Sequence, residues 1–250
     1  GPAAGKEAQF PAGTGRSALP FRILPQTERS AGKGRDMQDC VEVMGLVLKA
    51  EPIGEYDKRV VILTRDRGKI SAFARGARRQ NSKFLAAACP FVFGTFRLLE
   101  GRSSWHISEI SVSNYFEQLR QDFEGACYGM YFLELCDSCT RENNDEKEVL
   151  KLLYQSLRAL THGVLNRRLV RSVFEIKLVV AIGEFPGLPA GDYESDALYA
   201  IRFIETTPVE RLYTFTVSES VLRQLEKAAS TYRRESLPGR FKSLEVLESL

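Results

Sequence analysis

What most constrains this chain is a change of period. Up to about Tyr115, apolar residues recur at every second position in short runs; beyond it they recur three and four positions apart. Period two builds strands with one face inward, and period 3.6 builds helices with an apolar stripe. The chain is therefore read as α+β: a small barrel over residues 37–115, then a helical bundle over 116–250.

Five runs carry the first period. "VEVMGLVLKA" holds Gly45, which suggests a bent or bulged strand. Pro52 and Gly54 break the chain before "RVVILT", and the tight turn "RDRG" leads into "KISAFARGA", where Ile70, Ala72 and Ala74 alternate with Ser71, Phe73 and Arg75. "PFVFGTFRLLEG" and "SWHISEISVS" supply the fourth and fifth strands, joined at "EGRSS". Five short strands with glycines at the bends fit a closed barrel of the OB type. An SH3-like barrel fits the pattern nearly as well. The second period gives helices in "FEQLRQDFEGACYGMYFLELCDSCT", in "NDEKEVLKLLYQSLRALTHG" with Asn144 or Asp145 as N-cap and Gly163 as stop, and in "VLNRRLVRSVFEIKLVVAIG". Three more follow: "SDALYAIRFIET" capped by Ser195, "SESVLRQLEKAASTYRRES" capped by Ser218, and "KSLEVLESL".

Residues 1–36 belong to neither pattern. They hold ten Gly or Pro and no apolar periodicity; Gly1-Pro2 looks like a protease-cleavage scar and Met37 like a natural start. This stretch is read as a tag, linker or disordered tail. No run approaches a membrane span, no signal peptide is visible, and five scattered cysteines fit a reducing cytosol.

Charge points to function. Residues 58–83 carry nine cations (Lys58, Arg59, Arg65, Arg67, Lys69, Arg75, Arg78, Arg79, Lys83) and one carboxylate, Asp66, a local +8 in a chain of net +3. Residues 37–115 sum to +4 and residues 116–250 to −4. A basic front suits a polyanion. Phe73 lies on the same side of its strand as Arg75. Cations for phosphate beside a flat ring for a base are what single-stranded nucleic acid requires. A smaller basic patch, Arg167, Arg168 and Arg171, lies beside a continuous apolar stripe, with Lys177 further along the same helix.

Other chemistries have less to stand on. Cys136 and Cys139 have zinc or redox spacing, but no second CxxC or paired histidine completes a site, and the pair lies inside an apolar helical run; buried thiols are the better reading. His106 and His162 are the only histidines, and there is no phosphate-binding glycine loop or nucleophile elbow.

The order "GEYDKRVVILTRDRGKISAFARGARRQNSK", then a barrel, then a bundle ending "SLEVL", resembles the RecO family of bacterial recombination mediators. "YFLEL", "FEIKLVVAIG" and "ALYAIRFIETTPVERLYTF" extend the resemblance across residues 37–250. It implies an OB-fold followed by helices, and a role without covalent catalysis. Such proteins bind single- and double-stranded DNA, anneal complementary strands, and with RecR load RecA onto DNA coated by single-strand binding protein (SSB). They contact the acidic C-terminal tail of SSB through the helical domain. A cytoplasmic, nucleoid-associated bacterial protein without cofactors is implied. The DNA site is then expected at the ten residues from Lys58 to Lys83 that include Phe73, and the SSB-tail site at Arg167, Arg168, Arg171 and Lys177. Many members carry a four-cysteine zinc module where this chain has "PAGDYESD", so zinc is expected to be absent. Two other classes compete: a nucleic-acid-binding regulator that does not anneal, and a metal or redox enzyme using Cys136 and Cys139.

Overall fold

The computed structural model describes residues 40–250; the reading of residues 1–36 and the start at Met37 lie outside them. Five strands, β1 (Cys40–Ile53), β2 (Asp57–Thr64), β3 (Gly68–Ala74), β4 (Phe93–Glu100) and β5 (Trp105–Asn114), close into a barrel in the order β1-β2-β3-β5-β4. All neighbours are antiparallel except β3 and β5, which run parallel and pair only at Ala72–Trp105 and Phe73–His106. Val47, Val60, Ile62, Ile70, Phe96, Leu98 and Ile107 fill the interior, together with the small side chains of Ala72 and Ala74. This is the OB arrangement.

The first strand departs from the expected bulge at Gly45. Its register shift falls between Val47 and Lys49. Gly45 serves another purpose: a Cβ there would sit 2.6 Å from the Leu63 carbonyl oxygen, so the residue lets β2 approach. Around the shift Leu46, Val47 and Leu48 are all buried, because Val47 points into the barrel while Leu46 and Leu48 point into the bundle.

The helices are α1 (Glu117–Gln121), α2 (Phe123–Cys139), α3 (Lys147–His162), α4 (Arg167–Ala181), α5 (Ser195–Thr206), α6 (Glu219–Ser236) and α7 (Lys242–Glu248). The first expected helix is two. Asp122 is extended and accepts a hydrogen bond from the Gly125 N–H, ending α1 and capping α2. The caps of α3 and α5 each shift by one or two residues: Glu146 precedes α3, Glu194 precedes α5, and Ser195 is helical. Gly163 ends α3 at φ 63°, and Ser218 caps α6 through the Val221 N–H, as expected. Helix α4 is central, buried from Leu169 to Val179 apart from Arg171. No helix among the described residues is long and apolar enough to cross a membrane.

Barrel and bundle share one core. Leu46, Leu48, Val61 and Leu63 on the outside of β1 and β2 join Phe132, Leu153 and Phe174 of the helices. The β2–β3 turn is also strapped to the α2–α3 loop: Lys69 N–H donates to the Arg141 carbonyl (2.9 Å) and Asn143 N–H to the Arg67 carbonyl (3.0 Å). Gly68 makes this strap feasible. Its φ is +64°, and a Cβ would lie 2.2 Å from the Arg141 oxygen. Gly163 has a similar φ but open space around it. Gly163→Ala should therefore lose only the left-handed preference, about 1–2 kcal/mol. Gly68→Ala should lose that and two backbone hydrogen bonds, about 3–4 kcal/mol in all. Urea unfolding midpoints of the two variants check the ranking.

Candidate nucleic-acid interface

Because Gly68, Ile70, Ala72 and Ala74 point inward, Lys69, Ser71 and Phe73 face outward. Phe73 pairs across the sheet with Arg59 on β2 and with His106 on β5, so the three form one row on the barrel surface. The bundle covers the outer side of β1 and β2 and reaches β3 at Lys69, which bonds to Asp137 in the last turn of α2.

The cations of the following loop are laced to their surroundings. The Asp57 carboxylate accepts from the Gly76 N–H (2.7 Å), and Gly76 adopts φ 66° to turn the chain there. Arg78 donates to the carbonyls of Gly54 and Glu55 (3.1 Å each). The Arg79 guanidinium lies 4.9 Å from the Tyr56 ring, and Lys83 donates to the Ser108 carbonyl of β5 (2.7 Å). Arg75 is exposed and has no side-chain hydrogen bond or ion pair among the described residues.

The ten expected site residues thus form a stripe and not a single cluster. Arg65, Arg67 and Lys69 stand at the hairpin turn; Arg75, Arg78 and Arg79 stand beyond the other end of β3, about 20 Å away by strand rise. Arg65 pairs with Asp66 (2.9 Å) and Lys69 with Asp137 (3.0 Å). Lys58 is tucked beneath the following loop, donating to the Ala88 carbonyl (3.0 Å). Arg67 lies 5.9 Å from the Trp105 ring. Seven of the nine cations, all but Arg65 and Lys69, make no ion pair with a carboxylate among the described residues. Three residues of this surface had no signal in the local pattern. Tyr56 and Arg102 sit in the β1–β2 and β4–β5 loops, which flank the binding face of OB barrels, and His106 reaches the face only through the long-range parallel pairing.

The arginines of α4 all face carboxylates. Arg167 pairs with Asp122 and Glu124, joining α4 to α2. Arg168 makes a bidentate contact with Glu226 (2.8 and 2.6 Å) and a third bond to Glu219 (2.9 Å), joining α4 to α6. These hydrogen bonds raise its pKa further. Arg171 pairs with Glu175 (2.9 Å), a buried carboxylate that also accepts from the Tyr131 hydroxyl (2.5 Å). Lys177 is buried and donates to the carbonyls of Ile204, Glu205 and Thr207 (2.8–3.1 Å), closing the C-terminal end of α5, and burial lowers its pKa.

Cys136 and Cys139 occupy the last turn of α2. Burial pushes both thiols up, Cys139 to about 12, and among the described residues no group of three or more His, Cys, Asp or Glu is placed to hold a metal. At pH 8 both should stay protonated and resist a thiol reagent until the chain unfolds, while exposed Cys40 reacts at once. Timed labelling with mass spectrometry checks this. Rapid modification of Cys139 in the folded protein would contradict it.

A closed five-stranded barrel bearing an unneutralised basic stripe, with a helical bundle behind it, defines a class of nucleic-acid-binding architecture. Two family models fit it in sequence: the N-terminal domain of recombination protein O matches residues 37–116, and its C-terminal domain matches residues 120–190. The DNA repair protein RecO of Acetivibrio thermocellus is 26% identical over 243 residues, covering 84% of this chain and 97% of the relative. The RecO proteins of Alkaliphilus metalliredigens and Bacillus pumilus are 34% and 32% identical over 148 and 162 residues, covering 59% and 63% of this chain and 60% and 63% of the relatives. This chain belongs to the RecO family.

Proposed function

We propose that this protein acts in DNA repair as a recombination mediator: it binds single- and double-stranded DNA, anneals complementary strands, and with RecR loads RecA onto SSB-coated single strands. The observation that carries the reading is an electrostatic contrast. Arg167, Arg168 and Arg171 of the bundle meet six carboxylates, whereas seven of the nine cations of residues 58–83 meet none among the described residues. Charge left uncompensated on an open surface is charge available to phosphates. Annealing needs only that two polyanions be held together with their repulsion screened and their bases free to pair. No bond is made or broken by the protein, so no catalytic group is assigned.

The test is annealing of complementary strands with and without SSB, alongside binding measured across salt. If about six phosphates are engaged, log K should fall with log[salt] at a slope of about −4 for single strands and −5 for duplex. Arg75→Glu with Arg79→Glu is the variant of choice, because Arg78 also holds the β1–β2 loop. It should weaken binding to all sequences alike. Binding without annealing would favour the non-annealing regulator, and unchanged binding in the double variant would remove the barrel stripe as the site.

The SSB tail, an acidic segment ending in an apolar residue, is proposed to contact α4 at Arg168, whose side chain is 40% exposed. The tail's carboxylates would have to replace those of Glu219 and Glu226. Glu226→Gln should accordingly strengthen tail-peptide binding by calorimetry, and Arg168→Ala should weaken it. Equal affinity in both variants would place the tail elsewhere.

A further inference from the structure

Phosphate contacts alone do not distinguish a single strand from a duplex, since both present the same groups. The feature of this surface that can is the aromatic pair in the middle of the row. Phe73 and His106 stand side by side across the β3–β5 seam, their ring centroids 5.9 Å apart and their planes 36° apart. Both are partly exposed and face away from the barrel core. The imidazole is held by packing more than by hydrogen bonds. Its Nδ1 is buried without a partner, and its Nε2 lies 3.5 Å from the Ser104 hydroxyl. Gly101 leaves space for it, since a Cβ there would lie 3.1 Å from Nε2. Cations surround the pair on three sides. Arg59 lies across on β2, its Nε bonded to the Ser71 hydroxyl (2.8 Å), Arg75 follows Phe73 beyond the end of β3, and Lys83 reaches the β5 backbone at Ser108.

We infer that Phe73 and His106 form a base-stacking platform that makes this face discriminate single-stranded from duplex DNA, with Arg59, Arg75 and Lys83 holding the adjoining phosphates. A base in a single strand has a face to offer, whereas duplex bases are already stacked on each other. Aromatic stacking also tolerates any base, which suits annealing of arbitrary sequences. The inference rests on the barrel face being the DNA site.

The experiment titrates a fluorescent oligonucleotide, as single strand and as duplex of the same length, with the full chain at one salt concentration. Phe73→Ala and His106→Ala should each lower the single-strand to duplex affinity ratio about tenfold. Phe73→Trp should keep the ratio, and Phe73→Leu, which retains apolar volume but no ring, should lower it as Ala does. A 2-aminopurine placed in the single strand should be quenched on binding by the wild-type chain and less by Phe73→Leu. Melting temperatures identify any variant that fails to fold, and Phe73→Leu decides the matter if Phe73→Ala does. An unchanged ratio in Phe73→Leu and His106→Ala, while Arg75→Glu with Arg79→Glu weakens both substrates, overturns the platform and leaves the site standing. Unchanged binding of both substrates in the arginine variant overturns the site and the platform together.

Discussion

The packing of β1 and β2 against the helices decides what the rest of the molecule can do. Leu46, Leu48, Val61 and Leu63 point out of the barrel yet are buried, each contributing about 1.5–3 kcal/mol on removal from water. A barrel has only one outer surface, so covering one side assigns the other to solvent. The side left open carries β3, β5 and the loop with Arg75 and Arg79. The proposed DNA-binding face is thus selected by apolar contacts elsewhere on the barrel, made by side chains that carry no charge.

That selection also explains which parts of the fold were legible in the sequence. The clean alternation of Ile70, Ala72 and Ala74 with Ser71 and Phe73 follows from β3 having one wet face and one dry one. The apolar run at the centre of β1 is continuous because both faces of the strand are dry there. Gly45 was readable as special but not as to why, since its role depends on the approach of Leu63 from another strand. The single helix expected over 116–140 failed at Asp122. An aspartate is tolerated in a helix, and only its side-chain bond to the Gly125 N–H makes it an N-cap here.

Charge was legible as composition but not as pairing. The +8 of residues 58–83 and the arginines of α4 look alike in one dimension. In three, a guanidinium is defined by the carboxylates around it, and those of Arg168 lie 51 and 58 positions away on α6. Lys177 shows the same limit from the other side: in sequence it is one more cation on the helix, and its ammonium is engaged by the carbonyls ending α5. A basic residue on a helix that is buried nearly all round has few ways to remain charged, and ligating the end of a neighbouring helix is one of them.

The two ends of the basic stripe stand in different relation to the bundle, and this gives the surface a direction. At the hairpin turn, Lys69 is bonded to Asp137 and the backbone on either side of Gly68 is bonded to the α2–α3 loop. A phosphate arriving there must compete with a carboxylate that belongs to the helices. At the far end, Arg75 makes no ion pair among the described residues, and Arg79 lies against the Tyr56 ring. The two ion-paired cations of the stripe, Arg65 and Lys69, therefore both lie at the strap end. On the proposed site, a DNA strand running from Arg75 past Phe73 to Lys69 would reach the bundle at Lys69, through Asp137. Displacing Asp137 from Lys69 would then link occupancy of the barrel face to the C-terminal turn of α2, the same turn that begins the strapped loop.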